Sequence, residues 1–166
     1  MKIIIGNDHA GVELKNKIIE YLKNNNISYK NLGTDSVNSV DYPDYIHPVA
    51  IEVEKKEENV GIIICGSGNG AAMTANKHKK IRAALCWNEE ISELAKKHNN
   101  ANIISIPARY VENKVAIKII EKFLKTKLGY VRKPIKRLMP TALVAVVTIS
   151  NRRAEHLEML LSALPK

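Results

Sequence analysis

The sequence predicts a three-layer α/β sandwich, in which a five-stranded parallel sheet is covered by helices on both faces. Three features carry this expectation. Short apolar runs alternate five times with longer amphipathic segments. The runs are apolar throughout rather than at every second residue, as strands buried on both faces require. The clearest run ends in a glycine-rich turn, "CGSGNG" at 65–70, that leads into a small-residue helix.

In chain order, "KIIIGN" (2–7) reads as a buried strand. In "GVELKNKIIEYLKNNN", Leu14, Ile18, Tyr21 and Leu22 recur at helical spacing and form one face. "ISYKNLG" (27–33) is a short strand ending at Gly33. "DYPDYIHPVAIEVEKKE" is a helix entered near Pro43, with Pro48 expected in or near its first turn, where proline is tolerated. "VGIIIC" (60–65) is a strand, "NGAAMTANKH" a helix and "IRAALCW" (81–87) a strand. "EEISELAKKH" begins with acids and ends with bases, which suits the helix dipole. "ANIISI" (101–106) is the fifth strand, and "VENKVAIKIIEKFLKT" the helix after it.

Parallel sheets bind ligands beyond the carboxyl ends of their strands, where the strand order reverses. In the expected order 2-1-3-4-5, that point lies between the first and third strands. Their ends carry "GNDHAG" (6–11) and "CGSGNG" (65–70). Asp8, His9, Cys65, Ser67 and the loop amides therefore converge on one crevice.

Two readings of that crevice compete. "GSGNGA" (66–71) fits the dinucleotide fingerprint of Rossmann-like proteins, and Glu89 and Glu90 follow at about the spacing of a ribose-binding acid. Against it, the motif is on the third strand, a thiol precedes its first glycine, and Asp8 and His9 are left without a role. In the catalytic reading, Cys65 at a helix-entry loop faces unpaired N–H groups and the positive end of a helix dipole, which suits a base or nucleophile. The glycines let amides approach an oxyanion. A base beside oxyanion donors is the apparatus for removing a proton next to a carbonyl. Cys86, inside an apolar strand with no glycine loop after it, reads as core.

"GNDHAG", "DYPDY", "CGSGNGAAMTANK", "IRAALC", "HNNANIISIPAR" and "FLKT" resemble, in order and spacing, the type B ribose-5-phosphate isomerases, over residues 1 to 126. Sister enzymes of that family act on galactose 6-phosphate and allose 6-phosphate. The resemblance implies interconversion of ribose 5-phosphate and ribulose 5-phosphate, a reaction of the pentose phosphate pathway, through a cis-enediolate with no metal or organic cofactor. It assigns Cys65 as the base that moves a proton between C1 and C2. Ser67 and the amides of Gly66, Gly68, Asn69 and Gly70 hold the enediolate oxygens. His98 assists ring opening as an acid, and Asp8 shuttles the hydroxyl proton. His9 and Arg132 match phosphate-binding positions, Asn99 and Arg109 match substrate contacts, and Tyr42 lines the pocket. The family's second phosphate arginine is replaced by Lys136, with Arg137 one residue later. Lysine supplies charge without the bidentate fork of arginine.

The isomerase domain is expected over 1–137, and 138–166 form a divergent extension. "TALVAVVTIS" has β-branched character, and Leu157, Leu160, Leu161 and Leu164 make one helical stripe, suited to a dimer-packing helix or an added strand–helix unit.

Geometry also predicts a homodimer with shared sites, and the resemblance implies a dimer or a tetramer. The helix of 89–97 starts at the carboxyl end of the fourth strand and so finishes at the opposite edge of the sheet. His98 and Asn99 are then a strand length, about 17–20 Å, from Cys65 of the same chain. If they serve the Cys65 pocket, they come from a second subunit.

Composition agrees. Two cysteines make no disulfide framework, so a reducing cytoplasm is expected. No apolar run is long enough to span a bilayer, and "MKIIIGNDHAG" lacks the shape of a signal peptide. The net charge of +9 suggests an anionic partner. Between Phe123 and Ala154 there are eight Lys or Arg and no acid, but only two aromatics, Phe123 and Tyr130. That favours a phosphate clamp over a nucleic-acid-binding tail, which uses stacking side chains. His9, His47, His78, His98 and His156 show no metal-ligand spacing with the cysteines.

Overall fold

The computed structural model describes residues 1–129. Arg132, Lys136, Arg137 and the strand and helix expected within 138–166 lie outside the described residues.

Five parallel strands form one sheet: β1 (Ile3–Asn7), β2 (Tyr29–Asn31), β3 (Val60–Cys65), β4 (Ala83–Leu85) and β5 (Ile103–Pro107). The helices are α1 (Val12–Asn24), α2 (Tyr42–Glu54), α3 (Asn69–Ala75), α4 (Glu89–Asn99) and α5 (Asn113–Lys125). A single 3₁₀ turn, His9–Gly11, joins β1 to α1.

Because successive strand residues point to opposite faces, the apolar runs feed two cores. Ile3, Ile5, Ile62, Ile64, Ile104 and Ile106 pack with Leu14, Ile18 and Leu22 of α1, Ala95 of α4, and Ile119, Ile120 and Phe123 of α5. Ile4, Ile63 and Ile103 pack on the other side with Ile46, Val49 and Val53 of α2 and Ala71 and Ala75 of α3. Each large side chain so buried contributes about 1.5–3 kcal/mol of transfer free energy. These two layers of helix around one parallel sheet are the predicted fold class.

The strand order is β2-β1-β3-β5-β4, not 2-1-3-4-5. All five residues of β5 are buried, whereas β4 pairs over only Ala83, Ala84 and Leu85, each half-buried. A fully apolar strand gains most between two neighbours, and a short alanine-rich one loses least at the edge. The reversal between β1 and β3 is untouched by this exchange.

Two local expectations also change. The strand expected over 81–87 contracts to Ala83–Leu85. Pro48 stands inside α2, six residues after its start at Tyr42 and so in the second turn. α4 follows its sequence closely. Asn88 caps it by accepting from the Ile91 N–H at 2.8 Å, Glu89 and Glu90 occupy the first turn, and Asn100 ends it in the left-handed conformation.

Candidate active site

The ends of β1 and β3 meet as expected. The Asp8 N–H donates to the Ile64 carbonyl at 3.1 Å, which carries the β1–β3 ladder one step past β1. Asp8 is buried, caps the 3₁₀ turn, and accepts from the Ala10 N–H at 2.9 Å. Gly11 fits because a Cβ there would lie 2.7 Å from Ile64 Cγ2, so turn and strand end are in close contact. The His9 ring accepts at Nδ1 from the Val40 N–H at 3.2 Å. In neutral His9 the proton is therefore on Nε2, which remains a donor.

Cys65 ends β3 with 4% of its surface exposed. Its Sγ accepts from the Gly68 N–H at 3.2 Å, so the turn folds back over the sulfur. Gly68 has φ 74°, the left-handed region, and a Cβ on it would lie 2.4 Å from Leu85 Cδ1. Both backbone and space call for glycine there. The Ser67 side chain is exposed and accepts from the Asn69 N–H at 3.4 Å.

Two distant side chains close over this turn. The Tyr42 ring lies against Gly70, where an added Cβ would be 2.7 Å from Tyr42 Cζ. The Arg109 side chain lies across Gly66, where a Cβ would be 3.3 Å from Nε. Arg109 is brought there by backbone pairing: its N–H donates to the Gly66 carbonyl at 3.1 Å, and that of Ala108 to the Cys65 carbonyl at 3.0 Å. Cys65, Gly66, Ser67, Gly68, Asn69, Gly70, Tyr42 and Arg109 thus gather around the end of β3. Asp8 stands one strand away, and His9 follows it in the turn.

His98 and Asn99 do not join them. β5 begins at Ile103, level with Gly61, four strand steps or about 13 Å before Cys65. His98 and Asn99 end α4 at that far edge, where the Arg82 guanidinium donates to the Asn99 carbonyl just before β4 begins. The Gly129 N–H donates to the Lys97 carbonyl at 2.9 Å, so the last described residue also lies beside this end of α4.

Sequence reasoning missed Ser105. Buried within β5, its Oγ donates to the Gly68 carbonyl at 2.6 Å and fixes the peptide that turns over Cys65. The signal was available, since one hydroxyl interrupts the run "IISIP".

The observed order also weakens the dinucleotide reading. Glu89 and Glu90 follow β4, and β5 stands between β3 and β4. In the dinucleotide fold the two strands of that unit are neighbours, so that an acid at the end of the second reaches the ribose beside the first.

Fold and crevice together define a Rossmann-like α/β protein whose ligand edge presents a thiol, a glycine turn and an Asp–His turn. No helix among the described residues is long and apolar enough to cross a membrane. The chain belongs to the ribose/galactose isomerase family, whose model matches residues 3–138. A putative sugar phosphate isomerase of Rickettsia bellii is 46% identical over 125 residues, covering 75% of this chain and 87% of that protein. The crystal structure of a ribose 5-phosphate isomerase from Thermotoga maritima is 39% identical with a TM-score of 0.81, covering 84% of this chain and 98% of that one. Ribose-5-phosphate isomerase B from Mycoplasma genitalium, solved with bound ribulose-5-phosphate, is 35% identical with a TM-score of 0.77, covering 91% of this chain and 97% of that one.

Proposed function

We propose that the protein interconverts ribose 5-phosphate and ribulose 5-phosphate, as a step of the pentose phosphate pathway in the cytoplasm. The observation that carries this is Cys65. Its sulfur accepts from the Gly68 N–H in the turn, and Asp8 is one strand away. There the sulfur acts as an acceptor, the role a base plays. The thiolate takes the proton from C2 of the open aldose and leaves a cis-enediolate, and the same proton returns at C1. The hydroxyl proton moves from O2 to O1, with Asp8 as its carrier. Ser67 and the amides of the turn from Gly66 to Gly70 donate to the oxygens on which charge develops. Tyr42 and Arg109 bound the sugar, and His9 contributes its Nε2–H to the phosphate.

His98, as the ring-opening acid, and Asn99 come from a second subunit in a homodimer with two composite sites. Their place at the far edge of the sheet supports this. Arg132 and Lys136 supply phosphate charge. Residues 1–137 are the isomerase domain and 138–166 an extension, a division supported by the family match ending at 138.

The family description covers galactose as well as ribose isomerases, so hexose 6-phosphates are the second reading. The test is turnover by purified protein of ribose 5-phosphate against allose and galactose 6-phosphates, without added metal. Conversion of ribose 5-phosphate is expected. Thermal stabilisation by NAD or FAD, with none by ribose 5-phosphate, would overturn the reading.

A further inference from the structure

Lys15 is fully buried on α1 and takes no part in the chemistry above. Its ammonium donates to the Thr34 carbonyl at 2.8 Å and pairs with the Asp35 carboxylate. The Asp35 side chain is 83% exposed, so that pair adds little to stability. The buried bond is the one to Thr34.

Thr34 is the hub of a small network. Asn7 Nδ2 donates to the same carbonyl at 3.0 Å and to the Asp8 carbonyl at 2.8 Å. The Thr34 N–H donates to the Asn7 carbonyl at 3.3 Å. From this hub the chain runs through residues 35–39, all exposed, and makes short turns of its own: Ser36 N–H to Thr34 Oγ1 at 3.0 Å and Asn38 N–H to Ser36 Oγ at 3.1 Å. It then reaches Val40, whose N–H meets His9 Nδ1. The partner that decides which nitrogen of His9 carries the proton is thus delivered by a loop whose buried anchor is Thr34.

We propose that Lys15 is a positioning residue: by anchoring Thr34 it holds the 34–40 loop against His9 and fixes the Nε2–H tautomer, presenting one constant donor to an anionic oxygen of the substrate. This rests on the proposed role of His9 in binding phosphate. When a loop end is freed, Val40 leaves Nδ1, the two neutral tautomers mix, and only part of the population offers Nε2–H.

The test reads the tautomer directly. Two-bond ¹H–¹⁵N spectra of His9 at a pH above its titration are compared in the full-length protein and in Lys15→Met, alongside KM and kcat for ribose 5-phosphate. The parent protein should show Nε2–H alone. Lys15→Met should show mixed tautomers and a KM raised by the reciprocal of the remaining Nε2–H fraction, about twofold for an even mixture, with kcat nearly unchanged. Asp35→Asn should change neither. Lys15→Gln, which keeps a shorter neutral donor, should move both readouts in the same direction, and it replaces Lys15→Met should that variant fail to fold. A folded Lys15 variant with His9 wholly Nε2–H and KM unchanged overturns the proposal, as does failure of both variants to fold. Absence of turnover in the parent protein counts against the proposed function alone, and the spectra then decide the role of Lys15.

Discussion

Cys65 and Cys86 are both buried at the carboxyl ends of strands in one sheet, yet their surroundings differ. Cys86 follows β4. Its Sγ donates to the Ala84 carbonyl at 3.6 Å, and burial pushes its thiol up to about 12. After it come Trp87 and Asn88, which open an ordinary helix. After Cys65 come Gly66, Ser67 and Gly68, which fold the backbone back so that an N–H meets the sulfur. In the proposed function, the glycine turn is what separates a reactive thiol from one that is merely buried.

The sharpest way to break this comparison is to remove each thiol. Cys65→Ala should lower kcat by about 10²–10⁴-fold, the usual worth of a general base, with the fold intact. Cys86→Ala should keep kcat and lose about 1 kcal/mol of stability. A near-normal rate in Cys65→Ala would remove the distinction.

Mixing tests whether the Cys65 side is a complete site by itself. Cys65→Ala and His98→Ala are each expected to be inactive. After subunit exchange, statistical mixing should restore one intact site per mixed dimer and about a quarter of parental activity. No recovery despite demonstrated exchange would mean that both residues act from one chain.

The turn itself is tested by Gly68→Ala. A side chain at φ 74°, directed at Leu85, should cost at least about 1–3 kcal/mol and reduce the rate as the turn shifts. Ser105→Ala is milder. It removes one of the two hydrogen bonds at the Gly68 carbonyl, which keeps the Ala72 N–H at 3.1 Å, so it should cost about 0.5–1.5 kcal/mol and lower kcat more than it raises KM.

At neutral pH the smallest effect is that of Cys86, and it changes with pH. Its folded pKa of about 12 lies above the ordinary thiol value of 9.0. The native state therefore holds this proton more tightly than the unfolded chain. Its contribution to stability is fully present below pH 9 and is lost between pH 9 and 12. The difference in unfolding free energy between the parent protein and Cys86→Ala should shrink as pH rises through that window and reverse before its upper end. In native protein at pH 8, Cys86 should resist iodoacetamide.

The sequence made some of this legible and hid the rest for physical reasons. β1, β3 and β5 are apolar at every position, so their burial could be read directly. "IRAALCW" is nearly as apolar, yet only three residues pair, because an edge strand extends only as far as its one neighbour supports it. The exchange of β4 and β5 depends on which crossover packs best, information that no single run contains. Cys65, Asp8 and the glycine turn stand out in the sequence because polar groups and glycines at the ends of apolar runs form a local pattern. Tyr42 and Arg109 came from the family resemblance alone, and Gly70 and Gly66 are where the structure brings them. Ser105 and Lys15 act on backbone carbonyls 37 and 19 residues away, so nothing adjacent to them announces the partner.

The position of β5 also constrains how the chain assembles as it is made. β2, β1 and β3 are mutual neighbours and can zip together once residue 65 has been synthesised. β4 comes next in the chain, but its ladder partner is β5, eighteen residues further on at Ile103–Leu85 spacing. Until Ile103–Pro107 emerges, α3, β4 and α4 have no sheet edge of their own to join, and the outer side of β3 is open. A growing chain halted near residue 100 should therefore protect the amides of β1 and β3 from hydrogen exchange while those of Ala83–Leu85 exchange freely. Once Ile103–Pro107 has emerged as well, the same amides should close together with β5, so β4, β5 and the helix that carries His98 are completed as one late cooperative step.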